Sequence, residues 1–259
     1  FDFASADLTV ATGQVLEHLA AGPAWLVLGA ICLTIAVTAL VAVSHRYTAD
    51  GARLDTVSTG LSGVVVGQVL VAGLAVAVVA GEYGSGMITA SLAAVPRRLV
   101  LLAAKAVVVT ASALVAGALA VLGSIAAGLP LLRHHGYTSA HGYSGFDLSS
   151  GSTARAVVGS MLYLCLIGLL SLGIAATVRD SATAIGLVLA LLFLFPVLAS
   201  AVNPHWQRHL EQVAPMTSGL YIQATTDLHK LPLSPWEGLG VLAAWAAAAL
   251  LLGAARLRL

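Results

Sequence analysis

Two groups of residues have types and spacings that could support chemistry. The segment Gly142-Tyr143-Ser144-Gly145 matches the Gly-x-Ser-Gly pattern that surrounds the serine of six-span intramembrane proteases. A serine nucleophile needs a base within hydrogen-bond distance. The apolar stretch 238–255, where such proteases carry a histidine, contains none. The pattern therefore favours a loop serine over a protease site.

Histidines form the second group. His134, His135 and His141 share one connecting segment, and His205 and His209 have the i, i+4 spacing that suits a metal ion. No glutamate follows His205, so the His-Glu-x-x-His zinc motif is absent. We expect solvated loop histidines. The alternative is pH sensing or loose metal binding rather than catalysis.

The sequence contains no Gly-x-x-x-x-Gly-Lys-Ser/Thr segment, the loop that binds ATP phosphates in many ATPases. We therefore expect no cofactor in this chain and no enzymatic activity of its own. If ATP supplies energy, it must do so through a partner.

Composition identifies the class of protein. Of 259 residues, 59% are hydrophobic and 9% are charged, whereas soluble domains have about 25% charged residues. A net charge of +1 without a basic stripe argues against nucleic-acid binding. The two cysteines, Cys32 and Cys165, lie in apolar runs and do not suggest a disulfide scaffold. These features indicate an all-α integral membrane protein.

The charged residues divide the chain into apolar stretches. A membrane-spanning helix needs about 20 apolar residues, and runs such as Ile185–Leu194 lack the alternation of a β-barrel strand. Lys105 is placed early in the third span, with its ammonium extended to the membrane surface. The absence of ionisable residues at mid-depth argues against a secondary transporter. We predict six spans, at about 23–44, 57–81, 103–129, 156–178, 181–202 and 237–255.

Residues 1–22 precede the first predicted span. Leu8, Val15, Leu16 and Leu19 have helical spacing after Asp7, a possible N-cap, so an interfacial leader helix is expected. An ordinary polar leader is the alternative. Because the chain starts at a residue other than Met, we expect the native start to be missing and assign no signal peptide.

Charge density predicts the orientation. Six spans place both termini on one side, together with segments 82–105 and 179–180. Lys and Arg are denser there than in segments 44–55, 133–155 and 203–237. The positive-inside rule then assigns the termini to the cytoplasm.

The segment between spans two and three has a distinct pattern. Gly84 and Gly86 permit a sharp turn after Glu82. Ile88, Leu92 and Val95 then share one helical face, Pro96 ends the helix, and Arg97 and Arg98 reach headgroup level. This predicts a short helix parallel to the membrane; a plain interfacial loop is the alternative.

These residues carry a resemblance to a known family. Glu82-Tyr83-x-x-Gly86-Met87, Leu92, Pro96-Arg97-Arg98 and Ala104-Lys105 resemble the cytoplasmic segment of ABC-2 type transporter permeases. The resemblance covers roughly residues 23–259, whereas the leader lacks the usual basic residues. Three further segments are similar to the actinobacterial branch: Leu162-Tyr163-Leu164, Arg179-Asp180-Ser181-Ala182 and Leu231-Pro232-Leu233-Ser234-Pro235-Trp236.

The resemblance implies partners and a coupling site. Two permeases, either two copies of this chain or this chain and a homologue, would form the unit in the plasma membrane. Two separate ATPase subunits, which hold ATP and Mg, would dock beneath it. The short helix would fit a groove in the ATPase, and the implied coupling residues are Glu82, Tyr83, Gly86, Ile88, Leu92, Val95, Pro96, Arg97, Arg98 and Lys105.

The resemblance also implies an outer gate. The region between spans five and six would fold back into the outer leaflet as re-entrant helices. Pro204 opens this region and Pro215 breaks it. The gate residues would be Trp206, Leu210 and Tyr221.

Gln68 is the strongly polar side chain near the middle of a span. It could line a translocation path or pin span two to a neighbouring helix. Gly63-x-x-x-Gly67 permits close helix approach. Phe193 and Phe195 are assigned to the same path, although packing is the favoured role for both.

The expected function is that of the permease subunit of an ATP-driven exporter. The substrate would be an amphipathic or hydrophobic small molecule, such as an antibiotic, drug or lipid, because the spans offer no charge to pair with an ion. The alternatives are a non-transporting membrane sensor or assembly partner with the same fold, and a secondary carrier or channel.

Overall fold

The computed structural model describes residues 24–45, 54–84, 98–138, 143 and 149–258, and this part of the chain is helical without strands. Two short 3-10 turns follow the eighth helix. The helices are α1 Ala24–Ser44, α2 Thr56–Gly60, α3 Val64–Gly84, α4 Arg98–His134, α5 Gly151–Val178, α6 Ser181–Ser200, α7 Pro204–Val213, α8 Pro215–Leu220 and α9 Pro235–Arg258.

Several of these helices have the length and composition of membrane spans. Within the described ranges, α1, α4, α5, α6 and α9 are long and apolar enough to cross a bilayer, and α3 contributes a shorter apolar stretch, Val64–Val79. The prediction of an all-α, multi-pass membrane protein is therefore confirmed. The count of six spans stays a prediction.

Two helices extend beyond the apolar stretches that predicted them. α4 covers Arg98–His134 and α5 covers Gly151–Val178, whereas the predicted spans were 103–129 and 156–178. Hydropathy marks only the apolar part of a helix, and charged residues such as Arg133 and Arg155 can continue the backbone hydrogen bonds beyond it.

α5 is the central helix of the bundle. In the most apolar 18-residue stretch of each helix, 67% of the residues are buried in α5, compared with 17% in α1. Close approach explains this position, because a Cβ atom on Gly173 would lie 2.5 Å from the backbone carbon of Ala249 in α9. Likewise, a Cβ on Gly168 would contact Val71 of α3 and Val109 of α4. Glycines therefore let three neighbours pack directly on α5.

The Gly63-x-x-x-Gly67 pattern marks a close contact with α1. The Gly63 amide donates a 3.0 Å hydrogen bond to Thr38 Oγ1. A Cβ on Gly63 would overlap the Thr34 carbonyl oxygen, and one on Gly67 would lie 3.1 Å from Thr34 Oγ1. The expected close helix approach is confirmed, and its partner is the threonine pair of α1.

The connecting segments gather at the two ends of the bundle. At one end, Asp55 bonds to Thr225, and Arg155 bonds to the carbonyl of Ala224. At the opposite end, the Arg179 guanidinium donates a 2.8 Å hydrogen bond to the Arg256 carbonyl. This grouping agrees with the two sets of segments expected from sequence. The assignment of either end to the cytoplasm stays a prediction.

Candidate functional site: a polar seam beside a folded-back hairpin

The segment between α6 and α9 turns back along the bundle. Proline occupies the first position of both α7 and α8, where it needs no hydrogen-bond donor. α7 ends at Val213, and α8 begins at Pro215, as the two prolines predicted. Trp245, well inside α9, donates a 2.9 Å hydrogen bond to the Val213 carbonyl. The turn between α7 and α8 therefore reaches deep along α9.

Glycines seat this hairpin against its neighbours. A Cβ on Gly219 would lie 2.7 Å from the Tyr163 ring of α5 and 3.1 Å from Leu242 of α9. Gly159 of α5 leaves space for Ile222, and Gly238 of α9 leaves space for the Ser218 carbonyl. The hairpin backbone thus packs directly on both helices.

Polar side chains of α5 form hydrogen bonds with the segment that follows α8 and leads out of the hairpin. Buried Gln223 donates a 3.1 Å hydrogen bond from Nε2 to Ser160 Oγ. One turn toward the helix start, Arg155 Nη2 donates a 2.6 Å bond to the Ala224 carbonyl. We call these contacts, together with the Tyr163 contact on Gly219, the polar seam.

Asp55 fastens the end of the hairpin to the start of α2. Its carboxylate caps α2 by accepting a 3.1 Å hydrogen bond from the Ser58 amide. It also accepts 2.6 Å and 2.7 Å bonds from the amide and hydroxyl of Thr225, and a 3.0 Å bond from the Thr226 amide. Hydrogen bonds to an ionised group are the stronger class. Asp55 therefore joins the segment before α2 to the segment between α8 and α9, which is distant in sequence.

Gln68 lies beside the seam and is fully buried. Its Oε1 accepts a hydrogen bond from the Tyr163 hydroxyl of α5, which is also fully buried. This bond joins α3 to α5, which is what we expect if Gln68 holds its helix against a neighbour rather than lining a translocation path. Its Nε2 is buried without a partner among the described residues, so both N–H donors of the amide are unused.

The three residues assigned to the outer gate lie in different environments. Trp206 is 63% exposed and packs edge-on against His209. Leu210 is half-buried. Tyr221 donates a 3.3 Å hydrogen bond to Glu211 Oε2 of α7. Burial and the nearby Glu211 carboxylate raise the Tyr221 pKa, so Tyr221 stays a donor at physiological pH.

The aromatic residues assigned to the path are in packing contacts. Phe193 packs against the main hydrophobic core. The Phe195 ring lies edge-on to Trp245 of α9, with centroids 6.4 Å apart. Gln68 instead contacts Tyr163, so these three path residues belong to separate contacts.

Lys105 differs from expectation. Sequence suggested an ammonium at the membrane surface, but only 3% of Lys105 is exposed. Its Nζ donates a 3.1 Å hydrogen bond to the Val78 carbonyl of α3. The physical reason is the register of α3 and α4, which directs this side chain into the groove between them. Val78 also lines an apolar cleft of about 110 Å³ between α1, α3 and α4.

The other coupling residues cannot be compared in the same way. Glu82 and Tyr83 lie in α3, and Arg98 begins α4, but only the backbone of these three is described. The remaining predicted coupling residues lie outside the described ranges: Gly86, Ile88, Leu92, Val95, Pro96 and Arg97.

The histidines do not form a metal centre in the part of the chain that is described. His134 and His135 contact each other edge-on, with ring centroids 5.8 Å apart. No group of three His, Cys, Asp or Glu residues there could hold an ion.

The residues that fasten the hairpin were not among those predicted from the sequence. Asp55 directly precedes a Thr-x-Ser-Thr helix start, which is an N-cap signal, but nothing local indicates its bonds to Thr225 and Thr226. Tyr163 belongs to the Leu162-Tyr163-Leu164 segment of the resemblance, but nothing in the sequence indicates its contacts with Gln68 and Gly219. Arg155 is a charged residue at the edge of an apolar run and carries no further signal.

No protein-family model matches this chain, and a search of curated proteins returns no match.

Proposed function

We propose that this chain is the membrane permease subunit of an ATP-driven exporter of amphipathic or hydrophobic small molecules. The observation that carries the proposal is the hairpin of α7 and α8, which folds back between α5 and α9 at one end of the bundle. Backbone of this kind at membrane depth is tolerated where it is buried in protein or lines a cavity. Such an element suits a gate.

The proposal specifies an orientation. Six helices would cross the plasma membrane, with α3 as the second span and both termini in the cytoplasm. The hairpin would be a re-entrant segment of the outer leaflet, and Asp55 and Arg155 would hold it closed from outside. The short helix predicted from Ile88 to Val95, which Pro96 ends, would be the cytoplasmic coupling helix.

The proposal also specifies partners. Two ATPase subunits would supply ATP and Mg, and a second copy of this chain or a homologous permease would complete the transport unit. Support for the ATPase comes from the resemblance of the Glu82–Lys105 segment and from the helical spacing of Ile88, Leu92 and Val95 in the sequence, which predicts an apolar face. Full burial of each such side chain stabilises a contact by about 1.5–3 kcal/mol.

Co-purification with a candidate ATPase encoded beside the permease gene tests this function. Wild-type permease in nanodiscs should retain the ATPase and hydrolyse ATP faster when substrate is added. Glu82→Ala or Leu92→Asp should leave the permease folded and dimeric but reduce ATPase binding, transport or both. Arg97→Ala is the milder control, because an exposed charge contributes about 0–1 kcal/mol. Full ATPase binding and normal export by Leu92→Asp would refute the coupling assignment.

One observation favours the alternative of a secondary carrier. The buried Lys105 ammonium is an ionisable group among the helices, and such groups can form part of ion or proton pathways. Transport in proteoliposomes separates the two functions. An exporter needs ATP and its ATPase, whereas a carrier would work with an ion gradient alone.

A further inference from the structure

We propose that Asp55 is a latch between two packing units of the bundle, and that its release lets the units part at the hairpin end. The role of this latch in export rests on the proposed function. The latch itself does not, because its release can be measured on the permease alone.

The first unit consists of α1 to α4. The Gly63 amide, between α2 and α3, donates a 3.0 Å hydrogen bond to Thr38 Oγ1 of α1. A Cβ atom on Gly128 of α4 would lie 2.8 Å from Thr38 Cγ2. Toward the opposite end of the bundle, Lys105 Nζ of α4 donates a 3.1 Å bond to the Val78 carbonyl of α3. Close contacts therefore join these helices toward both ends.

The second unit consists of α5, the hairpin of α7 and α8, and α9. A Cβ on Gly173 of α5 would lie 2.5 Å from the backbone carbon of Ala249 in α9. One on Gly219 of α8 would lie 2.7 Å from the Tyr163 ring of α5. Neither position leaves space for a methyl group, so the hairpin and α9 pack on α5 as one body.

The glycine contacts between the two units are less close. A Cβ on Gly168 of α5 would lie 3.0 Å from Val109 Cγ1 of α4, and one on Gly117 of α4 would lie 3.2 Å from Leu164 Cδ1 of α5. Both neighbouring atoms are the ends of side chains, whereas Gly173 would meet backbone. Packed helices can slide by small repacking of such side chains. We therefore expect the bundle to part at this interface.

Asp55 joins the two units at the hairpin end. It belongs to the first unit as the N-cap of α2. Its carboxylate accepts bonds of 2.6 Å and 2.7 Å from Thr225 and of 3.0 Å from Thr226, in the segment that follows the hairpin. Arg155 of α5 holds the preceding carbonyl, that of Ala224, with a 2.6 Å bond. A pull on Asp55 would therefore reach α5 as well as the hairpin.

α3 connects this latch to the predicted coupling helix. It is continuous from Val64, shortly after α2, to Gly84, and the predicted helix from Ile88 to Val95 follows soon after in the sequence. In the proposed function, an ATPase that moves the coupling helix would displace α3 and load the bonds of Asp55. Release of those bonds would then open the hairpin end.

Cys165 provides a native reporter of this opening. It is buried in α5, and its Sγ lies 3.8 Å from the Thr110 carbonyl oxygen of α4, so it lies between the two units. The rate at which N-ethylmaleimide modifies Cys165 then measures how often the units part. The measurement uses a Cys32→Ser background in nanodiscs, without the ATPase. We expect slow modification when Asp55 is intact.

Asp55→Asn should raise this rate about tenfold, the factor that corresponds to the loss of one bond to a charged group. Asparagine is as good an N-cap as aspartate, so α2 keeps its cap. Its amide nitrogen cannot accept the bonds that the Thr225 and Thr226 amides donate to one carboxylate oxygen. Thr225→Val removes the hydroxyl donor and should raise the rate about threefold, so it tests the latch even if Asp55→Asn fails to fold.

Glu237→Gln is the matched control. Glu237 lies in the first turn of α9, at the same end of the bundle, and its carboxylate accepts a 2.9 Å bond from the Ser234 amide. That bond stays within one short stretch of the second unit. The same change from acid to amide should therefore leave the Cys165 rate unchanged.

Cross-linking tests the role of the latch in export. In a background lacking Cys32 and Cys165, a short bis-methanethiosulfonate should bridge Asp55→Cys to Thr225→Cys and abolish ATP-driven export without loss of ATPase binding. Reduction should restore export to its level before bridging. The bridged pair Ser234→Cys and Glu237→Cys is the control and should export normally.

Three results would overturn the inference. They are an unchanged Cys165 rate in folded Asp55→Asn and Thr225→Val, an equal rise in Glu237→Gln, and undiminished export by the bridged Asp55→Cys and Thr225→Cys pair. Because the labelling needs no ATPase, failure of the wild type to export with ATP would reject the exporter function and leave the labelling result to decide the latch.

Discussion

At the scale of single residues, the buried bond between Tyr163 and Gln68 joins α5 to α3 beside the hairpin. The two side chains are far apart in sequence and have no exposed surface. An unpaired polar group left in such a place costs free energy. The pair is therefore expected to act as a unit.

A double-mutant cycle measures this coupling. Gln68→Leu should destabilise the permease because the Tyr163 hydroxyl loses its acceptor, at a cost of about 1–3 kcal/mol. Tyr163→Phe should cost less, and the double variant should be more stable than the sum of the two changes by about 0.6–1.7 kcal/mol, the range for hydrogen bonds between membrane helices. Unfolding in mixed detergent micelles provides the measurement. Additive changes, within about 0.5 kcal/mol, would show that the bond contributes little.

Variants of the same two residues distinguish a structural role of Gln68 from a role in transport. If Gln68 Nε2 meets substrate as well, Gln68→Leu should alter substrate-stimulated ATPase activity more than basal activity. Tyr163→Phe keeps the Gln68 amide and serves as the control. An equal change in both activities would assign Gln68 to packing alone.

At the scale of helices, glycines determine how closely elements pack. Gly63→Ala should destabilise the bundle by about 1–3 kcal/mol, because the added methyl group would overlap the Thr34 carbonyl of α1. Gly73→Ala, within α3, is the control, since its Cβ would meet no atom within 4 Å. That control should be neutral or stabilising by up to about 1 kcal/mol, the difference in helix propensity. Equal effects of the two variants on the unfolding free energy would contradict the close contact.

A helix cap gives a pH-dependent prediction. Asp180 caps α6 and accepts 2.6 Å and 2.8 Å hydrogen bonds from the hydroxyl and amide of Thr183. These bonds lower the Asp180 pKa below its ordinary value of 3.8. A lowered pKa in the folded state adds stability above the ordinary pKa, and that stability is lost as pH falls through the lowered value.

Thermal unfolding across pH tests this cap. Asp180→Asn should lower the melting temperature most above about pH 5. The gap from wild type should narrow as pH falls below about 4. Ser150→Ala removes the uncharged cap of α5, so its effect should not change over this range. A pH-independent gap for Asp180→Asn would refute the charge contribution of the cap.

At the scale of the whole molecule, the contacts divide the connections between two ends of the bundle. Asp55, Arg155 and Thr225 meet at one end, and Arg179 and Arg256 meet at the other. A bilayer must lie between these ends if the apolar helices cross it. The remaining question is which end faces outward.

Cysteine labelling in intact cells answers that question. In a background lacking Cys32 and Cys165, an impermeant maleimide should label Ser144→Cys and His205→Cys. It should label Ser85→Cys only after the cells are opened. Labelling of Ser85→Cys in intact cells would reverse the orientation and place the hairpin in the cytoplasm.

The sequence by itself determined the class of the protein and the position of most long helices. Low charge, long apolar runs and the two prolines at 204 and 215 act locally, so composition and spacing suffice to predict them. The close approach at Gly63 and Gly67 could be anticipated for the same reason. Hydropathy underestimated α4 and α5 at their ends because polar residues also continue a helix.

Only the tertiary structure decided what the polar residues contact. Asp55 meets Thr225, Tyr163 meets Gln68, and Lys105 turns into the groove toward Val78. Each contact joins residues far apart in sequence and depends on the rotation and register of two packed helices. An apolar helix face can pack in several rotations, so the local sequence does not encode the register of two helices. The register is determined by the packing of glycines and by the hydrogen bonds of buried polar groups.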